Sequence, residues 1–391
     1  MSLLPENWLE IAVESNLTKG LRKDKDPAAY LHLLMLHLLC GYSLRETAAA
    51  AMAMNLPSMS DVALLKRLRK SEAFLWKLCQ FYLSGIKHGE QHDGFRVRLI
   101  DGTDIKEPGQ FGTLWRVHFS FSLPRMECDE LKLTKAAGIG TGEDFRQFSV
   151  NKGDILIGDR GYCRPKSLLH VMENGGYFIV RVNTQTLPLL DEDKSPLEYE
   201  EIFKSLSTPF QSKEFKVFFR DAERKATVPM RLCVIKKDAS STERTRKDIA
   251  KIASRKRLTP ANLSLQAAGY VILVTNLPKE LFQLKTVLEC YRLRWQVELT
   301  FKRLKSLLGI GALPKYTDAS ARAWIYGKLL IALIIERCSS LLGAFSPWCG
   351  QTCKEGAGES LVQLQKLACT GKAMGGTTNK PEILEENLVD F

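Results

Sequence analysis

Three carboxylates in this chain stand where divalent-metal chemistry wants oxygen ligands. Asp101 follows an alternating apolar segment, 95–100, and precedes Gly102-Thr103. Asp159 follows the apolar run Ile155-Leu156-Ile157-Gly158 and precedes Arg160-Gly161-Tyr162. Both are predicted at the end of a strand with a turn beyond. Acids at the ends of neighbouring strands can converge, and hard cations such as Mg²⁺ take ligands of this kind. Aspartate is also common at strand-to-turn junctions, so neither residue is decisive alone.

The third acid, Glu298, lies on a helix predicted over 280–308. Tyr291, Arg294, Glu298 and Lys305 fall at offsets 0, 3, 7 and 14. At about 100° per residue they share a sector of roughly 60°. One stripe thus carries a phenol, a guanidinium, a carboxylate and an ammonium, with Lys302 and Trp295 beside it. Arg294 and Lys305 can hold phosphate oxygens, the arginine through a bidentate fork. The competing reading is a solvated face with an ordinary i, i+4 pair between Glu298 and Lys302.

The elements that must position these residues divide the chain. Residues 28–86 have helical periodicity. Ser43-Leu44-Arg45-Glu46 forms a capping box opening a helix through Met54. Asn55-Leu56-Pro57 ends that helix, and a second one, carrying Lys66, Arg67, Arg69 and Lys70, follows. A helix-turn-helix and a bundle with one basic face fit equally. Strands are predicted at 95–100, 117–123, 131–134, 154–158 and 177–182, with a helix at 166–172. Residues 183–268 carry an acidic stretch, strand-like runs at 215–219 and 230–235, and a basic polar segment at 236–257. A buried strand returns at 269–275. The predicted units are a helical N-terminal domain (1–90, possible DNA binding), two parts of an α/β core (91–182 and 269–345), a β-rich insertion (183–268) and a tail (346–391) with a helix at 360–368.

The chain has 391 residues, 45% apolar and 26% charged, with 56 Lys+Arg against 44 Asp+Glu for a net charge of +12. Such a balance favours a polyanionic partner. Ten cysteines, scattered singly, do not form a disulfide scaffold and fit reduced thiols in a cytosolic setting. Cys349 and Cys353 are the one close pair. His88 and His92, with Asp93 beside them, have helical zinc spacing but are flanked by Gly89 and Gly94. His118 reads as structural. No signal peptide is read at the N-terminus, and no apolar run approaches the roughly 20 residues of a membrane span.

The spacing Tyr-x2-Arg-x3-Glu-x6-Lys at Tyr291, Arg294, Glu298 and Lys305 resembles the signature of insertion sequence 4 family transposases. Asp101-Gly102-Thr103 and Gly158-Asp159-Arg160-Gly161-Tyr162 resemble that family's two earlier motifs, in the same order. The gap before the glutamate (298 − 159 = 139 residues) matches as well. The similarity covers roughly residues 43–308. It implies an α/β fold with a ribonuclease-H-like core, interrupted by a β-rich insertion and preceded by an all-α N-terminal domain. It implies a metal-binding catalytic triad of Asp101, Asp159 and Glu298 holding two Mg²⁺ ions, for which Mn²⁺ can substitute. Tyr291, Arg294, Lys305, Arg160 and Lys302 are the expected DNA contacts. The implied partners are double-stranded DNA (terminal repeats and target) and a second protomer on the paired ends, in a bacterial cytoplasm with no membrane role. No Trp lies between Asn183 and Ala268, so the resemblance does not extend to a tryptophan that holds a flipped base. A metal-dependent nuclease on the same core and a non-catalytic repressor derived from a transposase are the alternatives.

Overall fold

Five helices precede the first strand: α1 (Trp8–Glu14), α2 (Pro27–Leu39), α3 (Leu44–Ala53), α4 (Asp61–Lys70) and α5 (Glu72–Ser84). The computed structural model describes residues 4–20, 25–84, 94–106, 115–123, 126–138, 140–314 and 317–341. His88, His92 and Asp93, the pair Cys349/Cys353 and the helix expected at 360–368 lie outside them. The capping box is present: Glu46 N–H donates to Ser43 Oγ at 3.2 Å, and Ser43 N–H donates to Glu46 Oε2 at 2.7 Å. Residues 54–60 join α3 to α4, longer than the three or so residues of a helix-turn-helix connection. Leu64 and Leu68 of α4 are fully buried, and Arg67 is tied to the carbonyls of Lys19 and Gly20.

A nine-stranded sheet follows, in the order β3-β2-β1-β4-β5-β9-β8-β7-β6. Its first five strands are β1 (Arg96–Ile105), β2 (Trp115–Ser122), β3 (Glu127–Lys135), β4 (Asp154–Gly158) and, after helix α6 (Pro165–Glu173), β5 (Tyr177–Arg181). β1, β2 and β3 form an antiparallel meander, whereas β4 runs parallel to both β1 and β5. Then come β6 (Leu189–Leu190), α7 (Tyr199–Lys204), β7 (Ser212–Asp221), β8 (Ala226–Lys236), α8 (Ala239–Lys256) and α9 (Asn262–Ala267). β9 (Tyr270–Thr275) pairs antiparallel with both β5 and β8, so residues 183–268 continue the sheet. The chain returns through α10 (Leu284–Arg292) and α11 (Trp295–Leu307) to the long α12 (Asp318–Leu341).

The period of two along a strand sends successive side chains to opposite faces. Leu99, Ile105, Ile155 and Ile157 enter a core shared with α10–α12 and the N-terminal helices. Ile100, Leu156 and Val180 enter the core of the other face, under α6 and α7. Helices therefore cover both faces of the sheet, as a sheet buried on two sides requires. α12 packs on α2, α4 and α5. Among the described residues no helix is long and apolar enough to cross a membrane. The described cysteines are free thiols, most of them buried.

Two elements differ from expectation. The helix predicted over 280–308 starts at Leu284 and is pinched at Leu293-Arg294. There the amides of Leu293, Arg294, Gln296 and Val297 bond three residues back instead of four. The basic polar segment after β8 is the 18-residue helix α8. Asp238 caps it, accepting from Ser241 N–H at 2.8 Å, and Arg257 ends it at φ 53°. Ser241 is its one buried residue, so no apolar stripe announces it.

Candidate active site

Pairing of β1 with β4 joins Arg96 to Asp154 and continues through Leu99 opposite Ile157. Extending that register by two residues puts Asp101 level with Asp159. Alternation aims both at the face of Leu99 and Ile157, the one covered by α10 and α11. The two acids are thus brought together by strand register, 58 residues apart in the chain (159 − 101).

Asp101 is not at a strand terminus, as its flanking turn residues suggested. β1 runs on to Ile105 because β2 pairs with it, Asp101 opposite Phe119, after β4 has ended. Asp159 is the first residue past β4. It caps the 3₁₀ turn Arg160–Tyr162 by position only, since its side chain makes no capping hydrogen bond there.

Arg294 connects the strands to the helix. One terminal nitrogen donates to Glu298 Oε1 at 2.8 Å, and the other lies 3.8 Å from Asp101 Oδ2. Its guanidinium rests 5.8 Å from the Tyr291 ring centre. Burial opposes the charge, but Tyr291, Asp159, Glu298 and Asp101 outweigh burial and hold Arg294 firmly protonated. Glu298 takes its ion pair from this arginine, one turn back.

Burial pushes the Asp101 carboxyl up to about 7. The Gly102 amide and Arg294 pull it down, while Asp159 and Glu143 push it further up. Gly102 N–H donates to Asp101 Oδ1 at 2.7 Å, and the Asp101 side chain is 14% exposed. In front lies an open cleft of about 580 Å³ walled by Gly102, Asp104, Glu143, Glu298, Lys302 and Lys305. At the cleft wall Lys106 N–H donates to the Gly311 carbonyl and Leu313 N–H to that of Lys106.

Arg294 pairs with carboxylates from β1 and α11 and feels Asp159 beyond β4, and carboxylate oxygens are the donors a hard divalent ion prefers. Among the described residues no three His, Cys, Asp or Glu side chains close on a single point tightly enough to hold a metal ion. The charge these acids share is the guanidinium of Arg294.

Comparison with known proteins shows the family. A protein-family model described as "Transposase DDE domain" matches residues 133–335. The putative transposase InsL for insertion sequence element IS186A of Escherichia coli (strain K12) is 31% identical over 324 residues, covering 81% of this chain and 85% of that protein. The transposase for insertion sequence element IS421 of Escherichia coli is 31% identical over 325 residues, with the same coverage. The chain belongs to the DDE transposases of insertion sequences. This transposase is also 27% identical over 211 residues to the transposase for IS231F of Bacillus thuringiensis subsp. israelensis, half of this chain and 43% of that one. The solved piggyBac transposase synaptic complex with hairpin DNA aligns at TM-score 0.44 and 10% identity, covering 97% of this chain and 81% of that one.

The transposase is an enzyme that cleaves and joins DNA, and its family chemistry depends on divalent metal. The matched span includes Asp159 and Glu298; Asp101 precedes it. Of the expected DNA contacts, Lys302 and Lys305 wall the cleft and Arg160 is exposed beside Asp159. Tyr291 differs: it is only 3% exposed and burial pushes its hydroxyl up to about 12. Its ring lies under the Arg294 guanidinium, and it feels Arg294, Asp159 and Arg181.

Sequence reasoning missed Glu143. Burial raises its carboxyl pKa, opposed by Arg116 and reinforced by Asp159 and Asp104. Its side chain lies against Gly161. A loop acid 16 residues before Asp159 (159 − 143) carries no periodic signal. The tight glycine after Asp159-Arg160 is the feature that could have pointed to it.

Proposed function

We propose that Asp101, Asp159 and Glu298 hold two divalent ions, Mg²⁺ or in its place Mn²⁺, for phosphodiester cleavage at the transposon end and for strand transfer. The observation that carries this reading is Arg294, which pairs with Glu298 at 2.8 Å, lies 3.8 Å from Asp101 and feels the charge of Asp159. When bound, the metal ions supply an activated water and stabilise the leaving oxygen.

The chain's own residues do the rest. Arg294 offers its planar fork to phosphate oxygens. Lys302 and Lys305 hold flanking phosphates from the cleft wall, and Arg160 does so beside Asp159. Tyr291 supports Arg294 from beneath as a positioning residue. In the first step a water oxygen bonds to phosphorus at the transposon end, the bond to the 3′ oxygen breaks, and a free 3′-OH and a 5′-phosphate result. In the second, that 3′ oxygen bonds to a target phosphorus, displaces a target 3′ oxygen and loses its proton, which the leaving oxygen takes up. No covalent protein intermediate is involved.

In this reading β1–β5 and α10–α11 form the ribonuclease-H-like core, supported by the meander that leads into parallel strands. Residues 183–268 are the insertion. The DNA is duplex, bearing terminal repeats and target, and two protomers act on paired ends in a bacterial cytoplasm.

The test is cleavage of duplexes carrying the element's terminal repeats in Mg²⁺ or Mn²⁺, with wild type beside Asp159→Ala and Glu298→Gln. Nicking at the repeat ends, lost in both variants and dependent on metal, is the expected result. Cleavage that survives in either variant removes that residue from the triad.

A further inference from the structure

Helix α8 has six cations, Arg244, Arg246, Lys247, Lys251, Arg255 and Lys256, against two acids, Glu243 and Asp248. At about 100° per residue, Arg244, Lys247, Lys251 and Arg255 share a sector of roughly 80°. Residues 241, 242, 245, 249 and 253, the less exposed ones, turn to the opposite side. All four stripe cations are exposed. Lys247 shares its charge with Glu243 across a loose 3.7 Å contact in water, which holds little energy.

The stripe spans 11 residues (255 − 244), or about 16 Å along the helix axis. That covers about five phosphates of one strand at the roughly 3.4 Å axial spacing of duplex DNA. Its spacing fits a polyanion with a regular repeat better than a compact ligand.

The opposite side of α8 is fixed to the end of β8. Lys237, at the end of β8 just before α8, is 3% exposed and donates to Thr245 Oγ1 at 3.1 Å. Burial, with Arg181 and then Arg160, pulls its ammonium pKa down to about 8. Arg160 in turn feels Arg181 and Asp159. Lys237 thus ties the inner side of α8 to the end of β8, and Arg181 and Arg160 are among the charges it feels.

We propose that the exposed cationic face of α8 carries the phosphate backbone of duplex DNA leading away from the active site. The surface reads no sequence, since a phosphate rail sets position and affinity and not base identity. It extends the enzyme's hold beyond the nucleotides being cut, and it rests on the reading of the cleft as the place of phosphodiester chemistry.

The test combines Arg244→Gln, Lys247→Gln, Lys251→Gln and Arg255→Gln. All four sites are exposed and glutamine favours helix, so circular dichroism melting is expected to match wild type. Binding is measured by fluorescence anisotropy across a salt titration, on a terminal-repeat duplex with about 20 base pairs of arbitrary flanking sequence. The combined variant is expected to bind roughly 10- to 100-fold more weakly near 0.1 M salt, with a log–log salt slope shallower by about three to four. Swapping the four residues between Arg and Lys keeps the charge and is expected to keep the slope. Phosphate-ethylation interference on the wild type is expected to extend into the flank.

Unchanged affinity and slope in the glutamine variant would overturn the proposal. So would an unchanged slope with weakened self-association in sedimentation, which would assign the face to a second protomer. If the wild type binds no repeat duplex, the reading of the cleft itself fails, a result distinct from either of these.

Discussion

Glu143 lays its carboxylate over the Cα of Gly161, two residues past Asp159, and leaves no room there for a Cβ. The contact locks the turn that presents Asp159 to an acid that also feels Asp101 and Asp159. A loop acid and a turn glycine are thereby one structural unit inside the candidate site.

Gly161→Ala is therefore expected to destabilise the transposase by about 1–3 kcal/mol, the usual cost of overpacking. Glu143→Gly combined with it should recover most of that loss, because the carboxylate and the Glu143 Cβ that the new methyl would meet are both gone. Urea unfolding of the two singles and the double gives the coupling. Additive effects would mean that the carboxylate does not sit against Gly161.

Arg294→Ala removes the cation shared by Asp101 and Glu298. The carboxylates then repel, so melting in EDTA is expected to fall below wild type. Mg²⁺ should raise the melting temperature more in the variant than in wild type, because the ions replace the lost positive charge. Cleavage should fall roughly 10²–10³-fold, the scale of losing one charge-stabilising donor. Equal Mg²⁺ gains in both proteins would contradict the shared-cation role.

Tyr291 is buried with its hydroxyl pushed up to about 12, the opposite of what a nucleophile needs. Tyr291→Phe is expected to lower the cleavage rate by no more than about tenfold, the scale of one lost hydrogen bond. No protein–DNA adduct should survive denaturing electrophoresis in either protein. An adduct in wild type that vanishes in the variant would overturn the positioning role.

His118 is fully buried, with Nε2 2.9 Å from Thr134 Oγ1, and burial, then Arg116 and Lys132, push its imidazole down to about 4. The unfolded chain takes up that proton near pH 6.5, the folded one only near 4. Between those values the unfolded state binds more protons, so stability falls as pH drops through this window and is complete above it. The loss by pH 4 is on the order of 2–3 kcal/mol. Asp101 acts with opposite sign, since its folded pKa is raised. The difference between wild type and His118→Asn in urea midpoints from pH 4.5 to 7.5 isolates the histidine, and parallel curves would contradict its assignment.

Asp154 looks like a further candidate ligand at the start of β4, yet its setting is structural. It accepts from Arg96 at 2.7 and 2.6 Å and from Arg98 at 3.2 Å, with no exposure. Asp154→Ala takes from Arg96 its two-pronged partner and leaves it Asp129 at 3.7 Å, while Arg98 keeps Asp129 and Glu130; breaking this buried pair is expected to cost about 3 kcal/mol. Folded Asp154→Ala at low temperature should still cleave, which separates it from Asp159.

Much was legible in the chain itself. Alternation marked β1, and continuous apolar runs marked β4, β5 and β9, because a strand buried on both faces is apolar at nearly every position. The capping box of α3 is local chemistry and was readable as such. The spacing of Arg294, Glu298 and Lys305 follows from helical period alone. What the chain could not show is set by partners distant in sequence. Asp101 lies inside a strand because β2 continues the pairing where β4 stops. Tyr291 is buried at the end of α10, just before the pinch, with Arg294 over its ring. Helix α8 was unreadable since it buries almost nothing, and apolar periodicity records burial. Glu143 joined the site only when the chain folded, because the contact of a loop acid with a glycine leaves no period to read.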